Sequence, residues 1–115
     1  MTLSQPMTMQ EIFDKVVPAT LEQGEKSINA YGSCRYRGEN SLKCTIGHVI
    51  PDELYNLEME FMTAQEVLKE LGIIENETGF IVCLQAVHDQ KNPKNWRKTF
   101  EDIANHFGLK WNYAA

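Results

Sequence analysis

NPKNWRKTFEDIANHFG, residues 92–108, is the stretch that decides the fold. Asn92 is a natural helix N-cap, and Pro93 suits the first helical position, where a missing N–H costs nothing. Trp96, Phe100, Ile103, Ala104 and Phe107 follow at steps of four, three, one and three, which places all of them on one helical face. Gly108 supplies a left-handed cap, and Leu109 can fold back on the last turn. A helix with a single apolar face needs an apolar partner to lie against.

The segment before it supplies that partner. In TGFIVCLQAVHDQ (78–90), Phe80, Ile81, Cys83, Leu84, Val87 and His88 cover more than half of a helical circumference, which marks a central helix. A strand over FIVCLQAV competes, because continuous apolar runs are ambiguous; the run to Asp89 without a turn signal favours helix. Upstream, Thr63 and Glu66 have capping-box spacing ahead of Val67 and Leu71, with Gly72 as the stop. Thr8 and Glu11 repeat the box ahead of Ile12, Phe13, Val16, Val17 and Leu21, with Gly24 as the stop. Pro18 falls inside that first pattern and predicts a kink or split near Val17.

Between these helices, CRYRGENSLKC (34–44) sets short apolar arms around the turn-rich GENS and reads as a small β-hairpin. Such arms are too short to stand alone and must lie on the helices. Thr45 can cap a short turn carrying Ile46, Val49 and Ile50, which Pro51 ends. The predicted fold is mainly α, a compact single-domain helical bundle with one small β-hairpin. Helices are expected near 9–22, 63–71, 78–90 and 93–107. Residues 1–8 read as a flexible leader and 9–115 as one globular domain. The predicted core is Phe13, Val16, Val17, Tyr36, Leu42, Cys44, Ile46, Ile50, Leu54, Val67, Leu71, Ile81, Leu84, Val87, Trp96, Phe100, Ile103 and Phe107.

Composition bounds the class. With 115 residues, 43% of them hydrophobic, and only 7 Gly and 4 Pro, the chain is neither collagen-like, mucin-like nor disordered. It can bury roughly two-thirds of its unfolded surface without disulfides or metal. No apolar run approaches the roughly 18 residues of a membrane span. MTLSQPMTMQEIFDK has neither the basic nor the apolar region of a signal peptide. Three cysteines, an odd count, argue against a secreted disulfide framework. These readings predict a cytoplasmic protein that does not engage membranes.

Charge is unevenly spread around a net −5. Residues 52–77 hold eight acids (Asp52, Glu53, Glu58, Glu60, Glu66, Glu70, Glu75 and Glu77) against Lys69 alone. Extended nucleic-acid binding is not expected of such a chain, because phosphate neutralisation supplies most of that affinity. The acidic middle can face a basic partner and speed encounter, or be simply a solvated face.

Motifs for chemistry are sparse. There is no P-loop, G-x-G-x-x-G or H-E-x-x-H, and no cofactor or catalytic residue is assigned. Cys34, Cys44 and His48 have the spacing C-x9-C-x3-H, without the tight knuckle of a zinc site. Buried structural cysteines are the competing reading, and no metal ligand is assigned. A Cys-His-Asp constellation through Cys83, His88 and Asp89 is disfavoured, since residues five apart lie about 140° round a helix. His88 reads instead as a helix-edge side chain packing on Trp96 or the hairpin. The cationic residues are the stronger candidate. Arg35 and Arg37 flank Tyr36, Lys43 lies on the returning arm, and Arg97 sits near the start of the last helix, whose N-terminus is electropositive. If the hairpin packs there, Arg35, Tyr36, Arg37, Lys43, His88 and Arg97 line one anion-friendly cleft able to hold a phosphate and stack a base.

The segment Cys34-Arg35-Tyr36-Arg37-Gly38, then Lys43-Cys44-Thr45-Ile46-Gly47-His48-Val49-Ile50-Pro51-Asp52-Glu53-Leu54-Tyr55, resembles a family of small uncharacterised proteins of tailed phages and prophages. Its pattern is C-x-Y-R-G, a gap, then K-C-x-x-G-x-x-I-P-D-E. His88-Asp89, Trp96, Ile103-Ala104 and Gly108-Leu109 extend the likeness over roughly residues 9–110. The resemblance implies a phage-type accessory protein in the host cytoplasm, which binds and inhibits a host protein such as a defence protein, or sequesters a signalling nucleotide. The first expectation is therefore a non-enzymatic binder of a host protein, with homo-oligomers allowed. The alternatives are a nucleotide or small-anion binder using the cationic residues, and a zinc-stabilised or Cys/His-based enzyme using Cys34, Cys44 and His48.

Overall fold

A computed structural model of the protein describes residues 6–28 and 35–113. The chain forms four α-helices among these residues: α1 (Met9–Gln23), α2 (Ala64–Glu70), α3 (Thr78–Gln90) and α4 (Trp96–Phe107). Short 3-10 turns occupy Glu39–Ser41, Ile46–Val49, Asp52–Leu54, Leu57–Phe61 and Pro93–Asn95. The mainly helical reading is correct.

The helix ends follow local chemistry. Thr8 and Thr63 both close full capping boxes, with Glu11 and Glu66 reaching back to the cap N–H. Gly24, Gly72 and Gly108 take the left-handed conformation where their helices stop. At the last of these, the Leu109 N–H donates to the Ala104 carbonyl at 2.8 Å, closing the expected fold-back. Asn92 caps the Pro93–Asn95 turn through the Lys94 N–H, and α4 continues from it.

Helix α3 is central, packed between α2 and α4, and the Ile46–Val49 turn joins it to α1. Trp96 and Phe100 are fully buried, His88 stacks on Trp96 at 5.7 Å, and Phe80 meets Phe107 edge-on at 5.1 Å. Trp111 and Tyr113 close over Phe13 at centroid distances of 6.1 and 6.0 Å. The Tyr113 hydroxyl donates to Asp14 Oδ1 at 2.7 Å. Burial and that carboxylate push the phenol well above its ordinary pKa. Of the residues expected as a leader, Met7 packs on the core and donates its N–H to the Ile73 carbonyl, while 1–5 lie outside the described residues.

Three expectations are corrected. The first helix is not split: α1 runs five residues past Pro18, and Ile12, Phe13, Val16, Val17 and Thr20 are buried on both sides of it. Packing of that face outweighs the lost N–H, and the Thr20 hydroxyl secures the next turn by donating to the Val16 carbonyl at 2.6 Å. Cys83 is exposed, and Gln85 takes its place in the interior. Leu42, Leu54 and Phe107 are only half-buried, while Ile12, Leu68, Ile73 and Phe80 join the fully enclosed core.

The third correction is the hairpin. Residues 35–44 contain no strand. Two cross-connections remain, from the Gly38 N–H to the Leu42 carbonyl and from the Cys44 N–H to the Arg35 carbonyl. Asn40 and Ser41, both at positive φ, form the reversal. The ladder fails because its donors go elsewhere. The Tyr36 and Arg37 N–H groups donate to Glu60, and the Lys43 N–H donates to Gln23 Oε1.

The 46–49 turn fits under this loop because position 47 is glycine. A Cβ at Gly47 would collide with the Tyr36 carbonyl, which is backbone and cannot rotate away. Gly47→Ala is expected to destabilise the protein by about 2–3 kcal/mol, seen as a lower urea midpoint with an unchanged m-value.

Candidate functional site

The six residues predicted to form a cationic cleft are held by internal partners. Arg37 is the most constrained. Its guanidinium donates to the carbonyls of Gly47 at 2.7 Å and Ile50 at 2.8 Å, pairs with Asp52 at 2.9 Å, and lies 4.9 Å over the Tyr55 ring. Lys43 shares Asp52 at 3.8 Å, and Arg35 approaches Glu60 at 4.0 Å. Tyr36 is buried and donates its hydroxyl to the Met62 carbonyl at 2.7 Å.

His88 is fully buried. Its Nε2 accepts the Ser27 N–H at 2.9 Å, so Nδ1 carries the proton and donates to Asp89 Oδ1 at 3.0 Å. Ser27 in turn donates its hydroxyl to the Arg35 carbonyl. Five of the six residues thus belong to the loop and the groups that anchor it. Arg97 instead pairs with Glu101 at 3.6 Å and lies 5.3 Å over Trp111, on the segment that closes over α1.

The metal candidates are Cys34, Cys44 and His48. Cys34 lies outside the described residues, and Cys44 is buried. Among the described residues, no three His, Cys, Asp or Glu side chains are grouped to hold a metal ion. His48 is the unusual member. Among the described residues its Nε2 is buried without a hydrogen-bond partner, as is Oγ1 of Thr45, three residues before it. Burial, then the nearby charges of Lys43 and Arg37 and the His88 ring, lower its pKa to about 4.

A residue not singled out in advance organises this region. Glu60, on the Leu57–Phe61 turn, accepts the Tyr36 N–H at 3.0 Å, the Arg37 N–H at 3.1 Å and the Tyr55 hydroxyl at 2.5 Å. Only 11% of its side chain is exposed. The same turn buries Met59 but displays its two terminal apolar residues outward: Phe61 is 91% exposed and Leu57 68%. Beside it, between the start of α2 and α3, lies a cleft of about 360 Å³. Tyr36 and Gln85 line it with Glu60, Met62 and Ala64 on one wall and Val82, Ala86 and Asp89 on the other. Tyr36 is the only one of the six predicted cationic-cleft residues among its lining. The sequence signal for this surface is the acid-rich run from 52 to 77, interrupted by apolar Leu57, Met59, Phe61 and Met62.

Comparison with protein-family models, with curated proteins and with solved structures gives no match. No helix of the described residues is long and apolar enough to cross a membrane.

Two outcomes follow from this geometry. Glu60→Gln replaces a charged double acceptor with an amide that must turn an N–H₂ toward another donor. A loss of about 2–3 kcal/mol is expected in urea unfolding, with crosspeak shifts for the Tyr36 and Arg37 amides. For His48, the folded pKa lies below the unfolded value, so the unfolded chain binds the proton more readily between pH 6.5 and about 4. Its contribution to stability is full above pH 6.5 and is lost as the pH falls through that window. Allowing for solvent screening, about 1–2 kcal/mol is at stake. His48→Gln should flatten that limb of the stability–pH curve.

Proposed function

We propose that the protein is a non-enzymatic, phage-type accessory protein of the host cytoplasm, which binds a basic host protein and inhibits it by occupying its surface. The observation that carries this reading is Phe61, 91% exposed on a turn that Glu60 fastens to the interior. An aromatic side chain held outward by a fixed backbone loses little conformational freedom on binding, and such residues dominate interface energetics. Leu57 on the same turn and Val82, which lines the cleft with Glu60 and Met62, are exposed as well. Asp52, Glu53, Glu58 and Glu66, near it in sequence, are exposed. An apolar centre with a charged rim has the anatomy of a transient interface, and the sign of the rim selects a positively charged partner and speeds its approach.

The phage assignment rests on the resemblance over residues 34–55. The alternative, an anionic or nucleotide ligand on Arg35, Arg37, Lys43 and Arg97, would have to displace the carboxylates of Glu60, Asp52 and Glu101 that already approach these groups. The partner reading leaves those contacts intact.

The test is capture from bacterial host lysate by immobilised wild-type protein, followed by affinity measurement on the recovered protein. Phe61→Ala is expected to weaken binding about tenfold or more, while its melting temperature stays that of wild type because the ring buries little area. Leu57→Ala should act in the same direction. Raising salt from about 50 to about 500 mM should slow association. Recovery of no protein, or equal binding by Phe61→Ala, overturns the reading.

A further inference from the structure

Independently of the partner reading, we propose that Thr45 Oγ1 and His48 Nε2 hold one buried water molecule between them, and that this water is part of the fold of the 46–49 turn. Among the described residues, these two side-chain polar atoms are buried and meet no protein partner. Buried polar groups are nearly always satisfied by protein or by ordered water, and two unmet atoms on one turn call for a shared explanation.

Their placement supplies it. Thr45 has helical dihedrals, φ −50° and ψ −54°, and the His48 N–H donates to its carbonyl at 3.2 Å. Side chains three apart in a 3-10 turn eclipse, so Thr45 and His48 leave the turn on the same edge. Thr45 is fully buried. Its hydroxyl also lacks the usual internal outlet. Thr20 and Thr99 donate theirs to the carbonyl four residues back, within or at the start of a helix. Residues 42–44 have no regular structure, so no helical carbonyl stands one turn behind Thr45. Other polar groups of the turn are committed. The Ile46 N–H donates to Gln85 Oε1, and the Gly47 and Ile50 carbonyls accept from Arg37.

Water suits the pair better than an ion. The hydroxyl can rotate to donate or accept, and a neutral imidazole nitrogen does either according to its tautomer. A metal cation is opposed by Lys43 and Arg37, whose charges act on His48. A halide would find those same cations already paired with Asp52. The bridge ties the start of the turn to its third residue from the inside, where Arg37 holds it from the loop.

The test is ¹⁷O relaxation dispersion of water in solutions of the full chain and of Thr45→Val, which exchanges the hydroxyl for a methyl of nearly the same size. A loss of about one long-lived water is expected. Thr45→Ser keeps the hydroxyl and should keep the water. Urea unfolding gives a second readout. Thr45→Val should lower the midpoint if water serves the hydroxyl, and raise it if the hydroxyl is unmet, because removing an unmet buried polar group is favourable. His48→Leu should also remove the water. Thr45→Val and His48→Leu together should then lose less than the sum of the single losses, since either change alone already removes the shared molecule. Unchanged dispersion in Thr45→Val, a raised midpoint, or strictly additive losses would overturn the proposal. So would a wild-type midpoint higher in sodium chloride than in sodium gluconate at equal ionic strength, with no such excess in Thr45→Val, which assigns the site to a halide. None of these readouts involves Phe61, so they fail or hold separately from the partner reading.

Discussion

The Glu60 carboxylate is the constraint on which the irregular half of this protein depends. Residues 35–62 contain no α-helix and no strand, so their backbone donors cannot be satisfied by a regular ladder. Glu60 answers for two of them, the N–H groups of Tyr36 and Arg37, and for the Tyr55 hydroxyl. Hydrogen bonds to an ionised acceptor are roughly twice as strong as neutral ones, and this acceptor is mostly shielded from water. The consequence reaches the surface. In a 3-10 turn, successive side chains point about 120° apart. Met59 enters the core, Glu60 turns to the loop, and Phe61 is left outside. The exposure of the phenylalanine is therefore the other side of the anchoring of the loop.

The cations of the same region are solved differently. Arg37 gives its donors to the carbonyls of Gly47 and Ile50 and to the exposed Asp52, so internal acceptors take the place of water around its charge. His48 beside it is neutral, because burial disfavours the charged ring and a further positive charge near Lys43 and Arg37 would be unfavourable. His88, buried behind, is committed as an acceptor to Ser27 and as a donor to Asp89. Acid attacks this arrangement from within, since protonating His48 adds charge to a side that already carries Lys43 and Arg37.

What could be read from the sequence was what short-range physics determines. Both capping boxes, the glycine stops and the stripe of α4 depend on residues within a turn or two of each other, and each appears where expected. The hairpin failed for the opposite reason. Tyr36 and Arg37 find their acceptor more than twenty residues away, and no local pattern announces that Glu60 faces inward while Glu58 faces water. Pro18 does not split α1 because tertiary packing outweighs a local preference. Cys83 failed because six apolar or near-apolar residues in one helix leave the choice of outer face to its neighbours, and α2 and α4 chose it. The candidate cationic residues were legible as a chemical type. The carboxylates that occupy them lie in the acidic middle and on α4, and residue type alone does not reveal that pairing.

The residues that enclose the core and the apolar residues left in water are consequently different ones. The enclosed core rests on α1, α3, α4 and the 46–49 turn, where Phe13, Ile46, Leu84, Trp96 and Phe100 are all fully buried. Leu57, Phe61 and Val82 contribute little to that core, because most of each lies in water. Substitutions there can change what the protein touches with little effect on whether it folds. Several acids lack that freedom because they cap, anchor or pair, among them Glu66, Glu60 and Asp52. The division at Glu60, inward carboxylate next to outward ring, is where the enclosed interior meets the exposed apolar side chains.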